Sequence, residues 1–300
     1  MVFIRVKKVK GLDYYYLVKS QWDPKSKRST QHTIKYLGNP SNFTIDDIPL
    51  EYRTNPRVVS MLSSSPKEQE KNLLKIEKSK KQVLTALKNG SVDEIIKIAK
   101  KYKAEKSLGK FYNDVLKNAM YEVGYLWQQN KLDVGMEHIC SNTAIKAIDK
   151  ITEPYKKPGG VYRVVICTPH GELHNISCSI IESVLLENGF KVYNISPSAP
   201  TDSTIAYIKD TNPSLVLISV TLLDNMGSAS RLVKKIGTYN NIPILIGGLA
   251  INNSSDIERN SVVSLNPNVK LILNSKLDEL VKTIKDITKN NCRKEVELQT

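Results

Sequence analysis

Residues 162–195 read YRVVICTPHGELHNISCSIIESVLLENGFKVYNI, and this stretch decides the fold. A short β-rich apolar run, Tyr162–Cys167, is followed by a polar loop and then by a helical pattern, Ile176–Asn188, closed at Gly189. A second apolar run, Lys191–Ile195, follows directly. Runs this short and apolar are buried on both faces, and a helix between two of them makes a parallel βαβ unit.

Toward the C-terminus the unit repeats. Helix Thr201–Asp210 stops before Pro213, then come strand Leu215–Val220, helix Met226–Gly237, strand Pro243–Ile246, a short element, strand Val269–Leu273 and helix Leu277–Thr288. Five such strands predict an α/β domain, a flavodoxin-like doubly wound five-stranded parallel sheet over residues 160–290, with 291–300 a frayed tail. Toward the N-terminus, Pro154–Gly160 reads as a linker, and before it the apolar period becomes 3.6. Helices from Pro66 to the Asn89-Gly90 stop, Val92–Tyr102, Ser107–Gln129 and Asp133–Thr152 predict a four-helix bundle cap over 65–153, two short helices and then two longer ones. Ser91 with Glu94 has the capping-box pattern. Residues 2–37 alternate as three short strands, Val2–Lys7, Tyr14–Ser20 and Thr30–Leu37, with turns at Gly11–Asp13 and Asp23–Arg28. They predict a small antiparallel β-sheet in a basic domain, 1–64, with Ile45–Leu62 packed over it, because so small a sheet needs a cover.

Composition bounds the function. At 300 residues, 40% hydrophobic and 25% charged, the sequence is of ordinary globular type. No apolar run approaches the ~20 residues of a membrane span and no signal-peptide order opens the chain, so the expectation is a cytoplasmic protein without membrane contact. Cys140, Cys167, Cys178 and Cys292 form no CxxC pair and read as reduced thiols. The net charge of +14 is spread out, but residues 1–64 carry 11 Lys/Arg against 5 Asp/Glu and are the most basic part for their length.

Ligands of an open parallel sheet bind beyond the carboxyl ends of its strands. The loop after the first strand, Thr168–Ser177, holds Gly171, Glu172, Leu173, His174 and Asn175. A carboxylate two residues before a histidine can fix the tautomer of the ring and leave the other nitrogen a better metal donor. The same residues also suit a plain polar loop at a helix start. The third strand ends in Ser219-Val220-Thr221, whose two hydroxyl residues can share one side, and the fourth in Gly247-Gly248, where a flat ligand could approach the backbone. No nucleophile–base pair for stand-alone turnover is evident.

Taken together, Glu172-x-His174-x-x-Ser177, a gap of 41, Ser219-x-Thr221, a gap of 25 and Gly247-Gly248 closely resemble the pattern of B12-binding domains, Asp-x-His-x-x-Gly, Ser-x-Leu or Ser-x-Thr, and Gly-Gly at similar gaps. That resemblance implies cobalamin as cofactor, His174 as the ligand to cobalt in place of the cofactor's own base, and a nucleotide tail threading past the serine and glycines. In the helical part, Trp127, nine residues, then Glu137-His138 resembles the cap signature of light-sensing, adenosylcobalamin-dependent transcriptional regulators. By that resemblance Trp127 would press on the upper adenosyl group while Glu137 and His138 line its pocket.

Departures qualify the likeness. Glu172 replaces the commoner aspartate of methyl-transferring corrinoid proteins, Ser177 stands where a glycine is usual, and Gln128 stands where light sensors have a cobalt-capturing histidine. Residues 1–64 show no helix-turn-helix and weakly resemble the leading segment of some transposase-like archaeal proteins. Contact with DNA through basic strands, and use of the sheet for oligomerisation or as a cover, fit that segment equally. The resemblance implies first a sensor or regulator, a homo-oligomer binding adenosylcobalamin, light-responsive, with output through assembly or DNA. The alternative is a corrinoid methyl-carrier, for which methylcobalamin is the natural form; a cofactor store is a third reading.

Overall fold

The computed structural model describes residues 2–9, 12–23, 28–38, 45–53, 55, 58, 66–156, 159–160, 162–238 and 241–297. The interior of the Asp23–Arg28 turn, the end of the Ile45–Leu62 segment, the boundary at 64 and the last three residues lie outside them. The chain forms two compact units, Met1–Ile76 and Glu77–Thr300.

In the first unit, β1 (Val2–Val9), β2 (Leu12–Asp23) and β3 (Arg28–Gly38) form an antiparallel meander in the order β1-β2-β3. Strand alternation puts Ile4 opposite Leu17 on one face, where Val2, Leu37, Ile48 and Val58 complete a small core. The predicted cover is therefore in place: 3₁₀ turns at Ile45–Asp47 and Leu50–Tyr52 carry Ile45, Ile48 and Tyr52 onto the sheet. Arg53 fastens the cover, donating to the carbonyls of Ile48 (2.7 Å) and Asp46 (2.6 Å).

α1 (Pro66–Lys88) runs across the division between the units and ends at Gly90, whose φ of +67° makes the expected left-handed stop. At 23 residues it is the longest helix before the sheet, not one of two short ones, because its Lys-rich sequence has no breaker before Asn89-Gly90. α2 (Val92–Glu105) follows. The long third helix is α3 (Leu108–Phe111), a π-helical turn at Tyr112–Leu116, and α4 (Lys117–Gln128). α5 (Val134–Thr152) completes the bundle. The Ser91 capping box does not form: its side chain makes no cap hydrogen bond, and its ψ of 78° departs from the extended backbone a box requires.

The sheet domain matches its expected plan. Strands β4 (Arg163–Cys167), β5 (Lys191–Asn194), β6 (Leu215–Ser219), β7 (Ile244–Gly247) and β8 (Val269–Ile272) are all parallel in the order β5-β4-β6-β7-β8. Between them run α6 (Ile176–Glu187), α7 (Thr201–Thr211), α8 (Met226–Gly237), α9 (Leu249–Asn253) and α10 (Asp256–Val263). α11 (Leu277–Glu297) closes the fold and continues beyond residue 290, since nothing after Asn290 breaks a helix. The short element expected after β7 is two helices, the second opened by a true capping box at Ser255 and Glu258.

Alternation along the strands sorts the sheet into two cores. Val164, Ile166, Leu215, Leu217 and Leu245 face α6, α11 and the helical bundle as one continuous core. Val165, Val216, Ile218, Ile244 and Ile246 face α7 and α8 on the other side. Inside the first core the Tyr112 hydroxyl and Ser183 Oγ lie 2.8 Å apart, and Lys103 pairs with Glu187 at 2.8 Å, so α2 and the π turn are both tied to α6. Among the described residues no helix is long and apolar enough to cross a membrane.

Candidate functional site

In a sheet of this order the strand sequence reverses between β4 and β6, and the loops after them diverge to leave a crevice. The loop after β4 is strongly tied down. Glu172 N–H donates to Pro169 O (3.0 Å), Thr168 Oγ1 donates to Glu172 O (3.1 Å), and Gly171 takes φ +91° so that its N–H reaches Ser198 Oγ at 2.9 Å. Ser198, itself at φ +52°, donates its N–H to Thr168 Oγ1 at 2.8 Å. The loop after β5 thus braces the loop after β4.

Glu172 is the centre of this arrangement. Its side chain is 0% exposed, yet both oxygens are fully engaged. Oε1 accepts from His174 N–H (3.1 Å) and meets His174 Nδ1 at 2.6 Å. Oε2 accepts from the backbone N–H groups of Thr221 and Leu222, both at 2.9 Å, and from Asn225 Nδ2 at 3.0 Å. One carboxylate therefore ties the loops on the two sides of the crevice. Burial alone would raise its pKa, but the bonds it accepts from Leu222, Asn225 and His174 outweigh that and hold it below the usual carboxylate range. An ionised Glu172 only accepts, so His174 Nδ1 carries a proton and, in the neutral ring, leaves Nε2 as the donor atom. The imidazole is 55% exposed at the carboxyl edge of the sheet, with its orientation set from beneath.

The other expected residues fall into three groups. Leu173 is exposed on the same loop, Asn175 stands at the N-cap of α6 without a side-chain cap bond, and Ser177 lies exposed in its first turn. Ser219, at the end of β6, is buried near the Cys178 thiol, which burial pushes up to about 12. Thr221 contributes its backbone N–H to Glu172. Gly247 and Gly248 are glycines for a reason internal to the fold. A Cβ on Gly248, at φ +113°, would sit 2.2 Å from Val220 O, and one on Gly247 would sit 3.1 Å from Ile272 O. The pair thus lets the backbone lie close against neighbouring strand ends.

Trp127, Glu137 and His138 lie together at one end of the α4–α5 hairpin, Trp127 in the last turn of α4 and the other two in the first turn of α5. Asp133 caps α5, accepting from Met136 N–H at 2.9 Å. Glu137 bridges His138 Nδ1 (2.7 Å) and the Ser141 hydroxyl (2.5 Å). Trp127 is 46% exposed and the His138 side chain 67%, so this end presents an aromatic and a polar pair outward.

Asn225, Ser198 and Thr168 were missed in the sequence. Each is an ordinary polar loop residue whose role exists only because separate loops converge, and the sole signal was position at a strand's carboxyl end. The residues present fit a cofactor that brings its own equatorial donors. Among the described residues no group of three or more His, Cys, Asp or Glu side chains could hold a metal, whereas a metal in a macrocycle needs from the protein one axial donor, which His174 Nε2 offers. Leu173, Leu222, Leu223, Leu249 and Leu273 are all exposed at the carboxyl edge of the sheet, an apolar rim suited to a flat, largely apolar ring.

Comparison with known proteins agrees with that fit. Residues 162–258 match a B12 binding domain family, and residues 80–152 match a second family of the same description. Dimethylamine corrinoid protein 1 of Methanosarcina acetivorans is 24% identical over 180 residues, covering 57% of this chain and 84% of that protein. The dimethylamine corrinoid protein of Methanosarcina barkeri is 26% identical with the same coverage. The monomethylamine corrinoid protein of Methanosarcina barkeri has the same fold, with a TM-score of 0.54 at 14% identity over 70% of this chain and 99% of that one. All three are named as methylamine corrinoid proteins. Residues 80–152 and 162–258 thus make up the helical and Rossmann-like domains of a cobalamin-binding protein.

Proposed function

We propose that the chain is a corrinoid carrier that passes methyl groups between methyltransferases, holding cobalamin against the carboxyl edge of the sheet with His174 as the axial ligand. The observation that carries this reading is the buried Glu172 carboxylate, which locks His174 with Nε2 outward at the crevice. Similarity to dimethylamine corrinoid proteins favours the carrier over the light-responsive regulator. Bound cobalamin supplies a cobalt centre able to take up and release a methyl group. The chain's residues do the rest. Glu172 keeps the proton on Nδ1 and so keeps Nε2 a donor. Gly171, Leu173, Asn175 and Ser177, on the same loop as His174, would line the ring, and Ser219, Thr221, Gly247 and Gly248 would line the nucleotide tail. Trp127, Glu137 and His138, exposed at the bundle end, would contact the cofactor from the side opposite His174. The functional division is 1–64, 65–153 and 160–290, and the cofactor lies between the last two.

A sensor that prefers adenosylcobalamin is the second reading, favoured by Trp127, an exposed aromatic at the bundle end able to hold a nucleoside. Equilibrium binding of methylcobalamin and adenosylcobalamin to the full chain, in the dark, separates the two. A carrier takes methylcobalamin at least as tightly; a tenfold or greater preference for adenosylcobalamin would reject it. His174→Ala should shift bound methylcobalamin to the base-off visible spectrum, and an unchanged spectrum would reject His174 as ligand.

A further inference from the structure

The face of the N-terminal sheet turned away from its core has no part in the cofactor reading. Strand pairing identifies it: Phe3 opposite Val18, Arg5 opposite Tyr16 and Lys7 opposite Tyr14, with Tyr16 also opposite Tyr36 on β3. Three tyrosines cluster there. Tyr16 and Tyr36 have ring centroids 5.0 Å apart, and Tyr14 and Tyr36 are stacked at 6.4 Å with 29° between their planes. Tyr36 is 53% exposed. Arg5 and Lys7 border the cluster along β1, the Arg5 guanidinium held across the sheet by Gln31 at 3.0 Å. Among the described residues of this face there is no acidic side chain.

Residues 1–38 carry nine Lys/Arg against two Asp, while the covering segment at 45–58 carries three acids against two arginines. The cover carries Asp46, Asp47 and Glu51, while Arg5 and Lys7 stand beside the tyrosines on the open face. A polyanion with flat, accessible faces is the chemistry that fits: phosphates for Arg5 and Lys7, bases for the tyrosine rings.

Width and spacing choose between forms of nucleic acid. A duplex major groove, about 12 Å wide, admits a two-stranded ribbon, and a third strand adds about 4.8 Å. Tyr14 and Tyr16 are two residues apart on one strand, about 6.8 Å, roughly twice the 3.4 Å base spacing of a duplex strand. Stacking on such a platform requires bases already parted from one another. We infer that the outer face of the β1–β3 sheet is a binding surface for single-stranded nucleic acid, with bases stacked on the Tyr14–Tyr16–Tyr36 cluster and the backbone held by Arg5 and Lys7.

The test uses the full chain and a fluorescently labelled oligothymidylate, with anisotropy read across a salt series. Tyr36→Ala should weaken binding about tenfold, while Tyr36→Phe, which keeps the ring, should bind like the parent. Lys7→Ala should lower the salt dependence by about one phosphate contact, and Lys8→Ala, on the opposite face, should change it less. Loss with Tyr36→Ala and retention with Tyr36→Phe would establish the surface. Failure to bind at low salt, equal or tighter binding of a duplex of the same length, or indifference to Tyr36→Ala would each overturn it.

Discussion

The loop after β4 and the exposed end of the α4–α5 hairpin both pair a glutamate with a histidine, and they are built in opposite ways. At Glu172–His174 the acid is fully buried and receives bonds from two loops, so the ring is aimed before any ligand arrives. At Glu137–His138 both partners reach solvent, and Glu137 bonds only its neighbour His138 and Ser141 one turn along the same helix. The first can position an atom; the second can adapt to what covers it. Preorganisation therefore belongs to the sheet edge, adaptability to the bundle end.

The sharpest way to break that contrast is to remove the buried acid. Glu172→Leu removes the acceptor of the part-buried N–H groups of Thr221 and Leu222 and should cost about 2–6 kcal/mol, at about 1–3 kcal/mol for each donor left without a partner. Urea unfolding of the cobalamin-free protein measures it, and a loss under about 1 kcal/mol would mean that the loops are held by something else. Acid comes next. The Glu172 carboxylate is held below its ordinary value, so its contribution is complete above the unfolded carboxyl pKa of about 4.3 and is lost as pH falls through the lower folded value. Relative to Glu172→Gln, the parent should lose stability more steeply below that pH; parallel profiles would remove the carboxylate from the account.

Asn225→Ala deletes one of the five bonds and should cost about 1–2 kcal/mol, with a partial loss of cobalamin affinity. If affinity falls as far as in Glu172→Leu, the brace is a unit and not a sum of contacts. The smallest effect is expected at the other region. Trp127→Ala should alter stability by no more than about 0.5 kcal/mol, as surface changes do, while shifting the ratio of affinities for methylcobalamin and adenosylcobalamin. A large loss of stability there would make Trp127 a packing residue and erase the contrast.

How much could be read beforehand differs from element to element. The α/β domain was legible because Val164 and Ile166 alternate with Val165 and Cys167 in a run too short for a helix, and such runs recur between amphipathic helices. Glu172 and His174 were legible as candidates because they fall just past a buried strand. Capping was not legible from residue types alone: Ser91-x-x-Glu94 and Ser255-x-x-Glu258 have the same spacing, and only the second closes, since Ser255 has the extended backbone, ψ 161°, that Ser91 lacks. The glycine pair was legible as a strand-end motif, but its crowding against Val220 and Ile272, remote in sequence, was not.

By itself, then, the sequence determined the order of elements, the two-sided burial of the sheet and the residue types at its carboxyl edge, because periodicity and short-range chemistry are local properties. Only the tertiary structure decided that one carboxylate would join the loops after β4 and β6, that Ser198 and Asn225 would brace it, and that three tyrosines would meet on one face of the first sheet. Each of those depends on groups brought together across turns and crossovers, and no local pattern encodes a distance between them.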